Sequence, residues 1–281
     1  MLRKVYVFAA LGLALMAAPA LAVTTQVEPK EIHWSFEGPV GKFDRGQLQR
    51  GYKVYREVCS SCHSMNLVSF RNLGQKGGPF YDAEYPNPND NPYVKSIAKD
   101  YQVNDIDSET GDVVQRPGTS ADRFPNPYPN EPAARAGNGG ALPPDMSTLS
   151  KAREGGSAYI YSILTGYKTP SANLKVPPGK YYNPYMPGDV SGFWSGDMKD
   201  VPEGGFIAMP PPLVAGKVTF DDGTPSTLEQ QASDVAVFLA WASEPKMEER
   251  KAFGVGAMIY LLIFSVLLYV SYRRIWRNIA H

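Results

Sequence analysis

The sequence predicts a mainly α-helical domain with long loop insertions, followed by one C-terminal transmembrane helix. Apolar residues recur at helical spacing in three places, which predicts helices over 43–59, over 147–167 and from 226 to Pro245. The chain of 281 residues contains 25 prolines and 26 glycines, which favours loops between these helices. Residues 252–272 contain no charge and are long enough as a helix to cross a bilayer. These observations together give the fold class.

The first helix is predicted to lead directly into a pair of cysteines. Leu48, Tyr52, Tyr55 and Cys59 recur along one side at helical spacing. Gly51 lies one turn before Tyr55, and its lack of a side chain would let a second helix pack closely at that point.

The other helices and the loops follow from local signals. On the second helix, the apolar side is formed by Tyr159, Ile160, Ile163 and Leu164. The third helix begins with a capping box, Ser226-Thr227-Leu228-Glu229, and Pro245 ends or kinks it. Residues 79–132 are rich in Pro, Asn, Asp and Tyr, which predicts a long surface insertion, and residues 168–225 are again loop-like.

The strongest functional signal is the motif Cys59-Ser60-Ser61-Cys62-His63. This spacing is the attachment site of a c-type haem, in which each thiol adds to a vinyl group and the histidine ligates the iron. The alternative is a redox or zinc-binding cysteine pair. A zinc site would need further ligands, yet the chain has no other cysteine and its other histidines are His33 and His281. The motif therefore predicts one covalently bound haem c on a c-type cytochrome fold.

The N-terminus has the pattern of a secretory signal, which agrees with a haem attached after export. Residues 1–22 combine Arg3 and Lys4, an apolar run, and the small-residue site Ala20-Leu21-Ala22. An uncleaved anchor is the alternative, but the run is short and contains a proline. Residues 23–245 are then the exported domain.

Basic residues flank the C-terminal span on both sides, so their count alone does not orient it. Haem attachment outside the cytoplasm orients it instead, with 273–281 as a short cytoplasmic tail. The exported domain contains 20 basic and 26 acidic residues, a net charge of about −6. An acidic exported face suits a basic partner, and simple solubility is the alternative explanation.

An electron-carrying haem needs a second axial ligand, and a methionine thioether is the favoured one because it raises the potential. The methionines available between the signal and the anchor are Met65, Met146, Met186, Met198, Met209 and Met247. Met65 is too close to the motif to reach the opposite face, and Met247 lies beside the anchor. Met209 is favoured because three prolines follow it and stiffen its loop. Met186 is its main competitor, whereas His33 suits a surface position.

Several segments, in order, resemble the cytochrome c1 family, the haem subunits of quinol–cytochrome c reductase (the cytochrome bc1 complex). Those segments are CSSCH (59–63), GALPPD (140–145), LTGY (164–167), YNPY (182–185), MPPP (209–212), FDDGTP (220–225) and WASEP (241–245). The haem motif occurs in many c-type cytochromes, whereas the later segments in this order, followed by an anchor, are much more specific.

The resemblance implies a set of haem contacts. They are Cys59 and Cys62 as covalent attachment points, His63 and Met209 as axial ligands, Arg153 at a propionate, Asn138 and Tyr159 at the haem edge, and Pro143-Pro144 orienting His63. Without the resemblance, Arg153 would be an exposed helix charge and Tyr159 a core residue. Some relatives have a disulfide in this domain, and this chain lacks the cysteines for it, so the resemblance leaves open what steadies the Met209 loop.

The resemblance also implies a function. The chain would belong to a dimeric bc1 complex with cytochrome b and a Rieske iron–sulfur protein, in a bacterial inner membrane with the haem domain in the periplasm. Its haem would accept one electron from the Rieske protein and reduce a soluble or anchored cytochrome c, without a catalytic acid, base or nucleophile. The alternatives are a membrane-anchored haem c subunit of another respiratory complex, such as an oxidase, or a haem enzyme with an open iron site.

Overall fold

The computed structural model describes residues 26–278 and is mainly helical, as predicted. The predicted signal at 1–22 and His281 lie outside these residues. The helices of the described chain are α1 (Arg45–Glu57), α2 (Phe70–Leu73), α3 (Pro92–Lys99), α4 (Glu131–Gly137), α5 (Gly156–Thr165), α6 (Leu228–Ser243) and α7 (Met247–Trp276). The strands are β1 (Gln102–Ile106), β2 (Val113–Pro117), β3 (Tyr181–Asn183) and β4 (Gly205–Ile207), and they form two antiparallel pairs, β1 with β2 and β3 with β4.

Helices α1 and α6 cross at Gly51, as the sequence predicted. A Cβ atom built on Gly51 would lie 2.0 Å from the Asp234 carbonyl oxygen and 2.7 Å from the Phe238 Cβ. Beside this contact, Arg50 Nε donates to the buried Asp234 carboxylate at 2.8 Å. The absence of a side chain at residue 51 therefore sets how closely the two helices pack.

The main core surrounds this crossing. Leu48 and Tyr55 of α1 are fully buried, and the Tyr55 ring packs on Phe238 of α6 with centroids 5.6 Å apart. Helix α1 is capped by Asp44, whose side chain accepts from Gln47 N at 2.7 Å. Because the last residues of α1 are held in this core, the cysteine motif that follows begins from a fixed position.

The second predicted helix is shorter than expected. Residues 147–155 form turns, and α5 begins only at Gly156. Gly155 and Gly156 have φ values of +78° and +51°, a left-handed conformation that a continuous helix does not permit. The helical spacing of the sequence was correct, but the two glycines delay the start of the helix.

The capping box of the third predicted helix is displaced by one residue. Thr227, not Ser226, caps α6, and its hydroxyl oxygen accepts from Gln230 N at 3.1 Å. Both residues satisfy the sequence pattern for a cap, and the path of the chain selects the second. The helix ends at Ser243, just before Pro245.

The proline-rich segments contain more structure than the sequence indicated. Residues 79–132 include α3, the β1–β2 hairpin and the start of α4, and this segment buries Val94, Ala98 and Phe124 in the main core. Residues 168–225 contain the β3–β4 pair and a second, smaller apolar cluster around Tyr182.

Helix α7 is the membrane anchor. Within the described chain it is the helix that is long and apolar enough to cross a bilayer, and its apolar part is not covered by the rest of the protein. It contains the whole of the predicted span at 252–272 and extends beyond it at both ends. The chain is therefore a helical domain with one C-terminal membrane helix.

Candidate haem-binding site

Helix α1 delivers the cysteine motif as one compact turn. After α1 ends at Glu57, Cys59–Ser61 forms a 3₁₀ turn, and His63 N donates to the Cys59 carbonyl at 2.9 Å. Cys59 is buried, and burial, assisted by the neighbouring Cys62, raises the pKa of its thiol to about 12. Cys62 is half-buried. The turn therefore places two free thiols and an imidazole within five residues of chain.

One hydrogen bond fixes the orientation of His63. Its Nδ1 lies 2.8 Å from the Pro144 carbonyl oxygen, which can only accept, so Nδ1 carries the proton and Nε2 keeps its lone pair. Burial lowers the pKa of this imidazole, although the bond to Pro144 and the charge of Asp145 oppose the effect. A neutral imidazole with Nε2 available is the form that ligates metals.

The carboxylate of Asp145 ties the chain after His63 to the Pro144 segment. Its Oδ2 accepts from Ser64 Oγ and from Asn66 N, each at 2.8 Å. Its Oδ1 accepts from Ser147 N at 2.8 Å. Burial by itself would raise the pKa of Asp145, but the bonds from Ser147, Asn66 and Ser64 outweigh it, and the pKa lies below its usual range. This clamp keeps the Pro144 carbonyl next to His63.

Met209 lies in the loop after β4, where it is half-buried and in contact with His63. Its backbone carbonyl accepts a hydrogen bond from the Tyr167 hydroxyl at 3.0 Å. Tyr167 follows α5 and is half-buried, and burial raises the pKa of its hydroxyl, which stays protonated as a donor. A tyrosine therefore holds the Met209 loop in a chain that has no disulfide to do so.

Met186, the competing methionine, has a different environment. Its sulfur accepts a weak hydrogen bond from the Tyr159 hydroxyl at 3.9 Å. Tyr159 is buried, and burial raises its pKa while the nearby charge of Arg153 opposes the rise.

The remaining predicted contacts lie on the elements before α5. Asn138 is the C-cap residue of α4, and its amide donates to the Ala134 carbonyl at 2.7 Å. Arg153 is exposed in the turns before α5 and donates to the Ala152 carbonyl at 3.1 Å. His33, considered earlier as a surface residue, is exposed and lines a cavity of about 530 Å³ beside the start of α5.

Sequence reasoning missed three residues of this site. Asp145 and Tyr167 stood in the segments that carried the family resemblance, but nothing in the sequence showed what their side chains bind. Tyr128 gave no signal at all, because it lies in a loop rich in proline and asparagine. Its hydroxyl is 4.0 Å from Cys62 Sγ, and its ring packs against Gly137, where a Cβ atom would lie 3.0 Å away.

The donor set fits a c-type haem. Two thiols on one turn match the two vinyl groups, and His63 offers Nε2 toward an iron while its other nitrogen is occupied. Between residues 26 and 278 there is no group of three or more His, Cys, Asp or Glu side chains that could hold a metal ion. The zinc alternative therefore finds no further ligands in that part of the chain.

Comparison with known proteins agrees with this chemistry. The family model described as "Cytochrome C1 family" matches residues 34–279. The chain is 38% identical over 264 residues to cytochrome c1 of Rhodospirillum rubrum, covering 88% of this chain and 87% of that protein. It is 42% identical over 242 residues to the mitochondrial heme protein cytochrome c1-2 of Solanum tuberosum, covering 86% and 82%.

A longer relative also matches. The chain is 40% identical over 299 residues to cytochrome b/c1 of Bradyrhizobium diazoefficiens, covering 96% of this chain but only 40% of that protein. Because the family model covers almost all of the described residues, and because relatives at about 40% identity match most of the chain, this membrane-anchored haem protein belongs to the cytochrome c1 family.

Proposed function

We propose that this chain is the electron-carrying haem subunit of a cytochrome bc1 complex. In this role it accepts one electron at a time from a Rieske iron–sulfur protein and reduces a soluble or anchored cytochrome c. The observation that carries the proposal is the His63 imidazole, which is neutral, is fixed through Nδ1, and directly follows a short turn that holds two free thiols.

The protein's own residues bind and orient the cofactor. The thiols of Cys59 and Cys62 would hold the haem through thioether bonds, and His63 would ligate its iron. A bound haem c supplies the one-electron redox chemistry, and no side chain has to act as acid, base or nucleophile. The Asp145 clamp and the Pro144 carbonyl prevent the imidazole from rotating away.

Met209 is proposed as the second axial ligand. It contacts His63, and the hydrogen bond from Tyr167 is made to its backbone carbonyl, so its sulfur is available to bind the iron. The sulfur of Met186 instead accepts from Tyr159. A methionine that would ligate the iron needs a stiff, anchored loop, and the prolines after Met209 together with the Tyr167 bond provide one.

Four other residues are proposed to surround the haem. Pro144 acts through its carbonyl on His63. Arg153 is exposed and suits a propionate, since guanidinium–carboxylate bonds are strong and can be bidentate. Asn138 and Tyr159 would line the haem edge, Asn138 from the end of α4 and Tyr159 from the buried face of α5.

The proposed setting is a bacterial inner membrane, with residues 1–22 as export signal, 23–245 in the periplasm and 273–281 in the cytoplasm. Cytochrome b and the Rieske protein would be its neighbours in a dimeric complex. The acidic stretch from Asp82 to Asp112, which contains eight Asp or Glu residues, would favour approach of a basic cytochrome c. Asp90, Asp100 and Asp105 of this stretch already form ion pairs within the domain, so the remaining acids are the ones proposed to face the partner.

Replacement of the proposed ligand tests the haem site. Met209→Leu should keep the covalent haem but abolish the weak far-red band of a thioether–ferric bond. It should also lower the potential by a substantial part of the ~0.8 V range that axial ligands span. The reduced variant should bind carbon monoxide, whereas the native protein should not. Met186→Leu is the matched control and should leave all three measurements unchanged, and the opposite pattern would assign the ligand to Met186.

Electron flow tests the assignment to the complex. Membranes with and without this chain are compared for quinol-driven reduction of added cytochrome c, with an inhibitor of the bc1 quinol site. Loss of the inhibitor-sensitive rate, restored by the wild-type gene, is expected. An unchanged rate in membranes with no second copy of the subunit would contradict the bc1 assignment without affecting the haem site.

A further inference from the structure

A short loop before α1 is fastened to the base of the membrane anchor. Residues 35–42 close on themselves, because Lys42 N donates to the Ser35 carbonyl at 3.1 Å. The ammonium group of Lys251, in the first turns of α7, donates to the carbonyls of Phe36 and Gly41. The position of this loop is therefore fixed relative to α7.

Two glycines shape the loop into a tight turn. Gly38 has φ of +70°, and a Cβ atom on Gly41 would lie only 1.9 Å from the Glu37 carbonyl oxygen. Pro39 and Val40 consequently form the tip, and both are exposed. Val40 leaves 74% of its surface uncovered, so the tip presents apolar surface outward.

The tip stands beside the part of α7 that enters the bilayer. Pro39 and Val40 line one side of a groove of about 310 Å³, and Ala252 and Val255 line the other. Ala252 is the first residue of the charge-free span, and Val255 is one turn, about 4.5 Å, further along it. The apolar tip is thus level with the first turn of the span.

The charged residues around the groove are consistent with a position at the surface of the bilayer. Lys42, which is exposed, and Lys251 lie on the groove wall, at the height where lipid headgroups begin. Glu248 is the one acidic residue on the same wall, and its charge is neutralised within the protein because it accepts from Phe43 N at 3.1 Å and pairs with Arg45. Cationic side chains beside an apolar tip match the boundary between headgroups and acyl chains.

We propose that the tip at 38–41 lies in the bilayer interface and is a second lipid contact of this protein beside its anchor. This inference rests on α7 being the membrane anchor and on no assignment of haem ligands. The lipid is the favoured occupant because the apolar surface of the tip is continuous with the surface that α7 presents to the bilayer. Such a contact would limit how far the haem domain can tilt or rotate on its single helix.

A fluorescent label at the tip tests this proposal. Val40→Cys is labelled with bimane in the intact, haem-loaded complex, where thioether formation leaves no native thiol on this chain. The complex is placed in nanodiscs of ordinary phospholipids or of phospholipids brominated on their acyl chains. The ratio of the bimane emission in brominated lipid to that in ordinary lipid reports lipid contact. Quenching by the haem is the same in both lipids, so it cancels in this ratio. The unsubstituted complex, treated alike, corrects for labelling of other subunits.

Two variants bracket the expected ratio. Phe253→Cys is exposed within the span and gives the value for full lipid contact. Val113→Cys matches Val40 in residue type and, at 73%, in exposure, but it lies on the β1–β2 hairpin. The hairpin closely follows Asp100, which pairs with Arg56 near the C-terminal end of α1. That end of α1 is about 16 Å along the helix from its first residue, Arg45, which lies beside the anchor.

The outcomes are distinct. Lipid contact is supported if the brominated lipid quenches a label at position 40 about as strongly as one at position 253, and clearly more strongly than one at position 113. Quenching by aqueous iodide with no effect of the brominated lipid would show a solvent-exposed tip and overturn the proposal. Protection from both quenchers would show that another subunit covers the tip, which would overturn it equally.

Discussion

The crossing of α1 and α6 at Gly51 gives the sharpest stability prediction. Gly51→Ala adds a single methyl group where a Cβ atom would lie 2.0 Å from the Asp234 carbonyl oxygen. Real Cβ atoms essentially never approach closer than 3.0 Å, so the two helices must separate by about 1 Å. The obstructing atoms belong to the backbone and to Phe238 Cβ, and neither can rotate away.

The cost follows from what this separation opens. A gap of 0.5–1 Å forfeits roughly a quarter to a half of each dispersion contact across it, and overpacked cores lose about 1–3 kcal/mol or somewhat more. Alanine is about 1 kcal/mol better than glycine inside a helix, which offsets part of the loss. Because backbone atoms cause the clash, we take the upper end of this range, about 3 kcal/mol, and expect a net loss of about 2 kcal/mol, which corresponds to a fall in Tm of roughly 4–8 °C for a domain of this size.

The assay is thermal unfolding of the haem-loaded protein followed by circular dichroism. Gly46→Ala is the control on the same helix, because its new methyl group would meet only the flexible side chains of Asp44 and Arg50, at 3.4 and 3.5 Å. It should leave Tm unchanged or raise it slightly. If Gly51→Ala melted at or above Gly46→Ala, the close crossing would not limit the packing and the reasoning would be refuted.

Two further predictions concern hydrogen bonds made by the tertiary structure. Tyr167→Phe should cost about 1–2 kcal/mol and weaken the far-red band of the proposed methionine ligand, because that residue's carbonyl loses its donor. Tyr182→Phe is the control, because it removes a similar bond from a tyrosine hydroxyl to the Glu203 carbonyl, and it should lower Tm without changing the band. An equal loss of the band in the two variants would contradict the role of Tyr167 in positioning Met209. Asp122 accepts from Arg116 and Thr119, and mainly the Arg116 bonds lower its pKa. Because this folded-state pKa lies below the unfolded value of about 3.9, the stabilisation is present above pH ~4 and is lost as pH falls toward the folded pKa. Asp122→Asn should therefore cost about 1 kcal/mol at neutral pH in urea unfolding, with a difference that shrinks in acid, and a difference independent of pH would contradict the assignment.

Much of the fold could be predicted because its signals are local. The spacing of Leu48, Tyr52 and Tyr55 predicted α1 and its buried face, and the absence of charge in 252–272 predicted the anchor helix. The errors arose where the signal was ambiguous over a few residues. Periodicity extended the second helix back to 147 because it does not detect the two left-handed glycines, Gly155 and Gly156, at the start of α5.

For the candidate haem site as well, the parts with local signals could be predicted from the sequence. Haem attachment requires two cysteines and a histidine at fixed spacing, so the sequence by itself predicted a haem c at Cys59, Cys62 and His63 and one of the proposed ligands. The sequence also determined that the domain is joined to a membrane helix, since both properties depend on neighbours within a few turns of chain.

Only the tertiary structure decided what holds those residues in place. The bond from His63 to Pro144, the Asp145 clamp and the Tyr167 bond to Met209 join positions 42 to 81 residues apart. The same is true of the loop at 35–42, which meets Lys251 more than 200 residues later. A hydrogen bond needs its two atoms within about 3 Å, and chain spacing cannot specify such a distance across long loops. Folding of the intervening segments decides it.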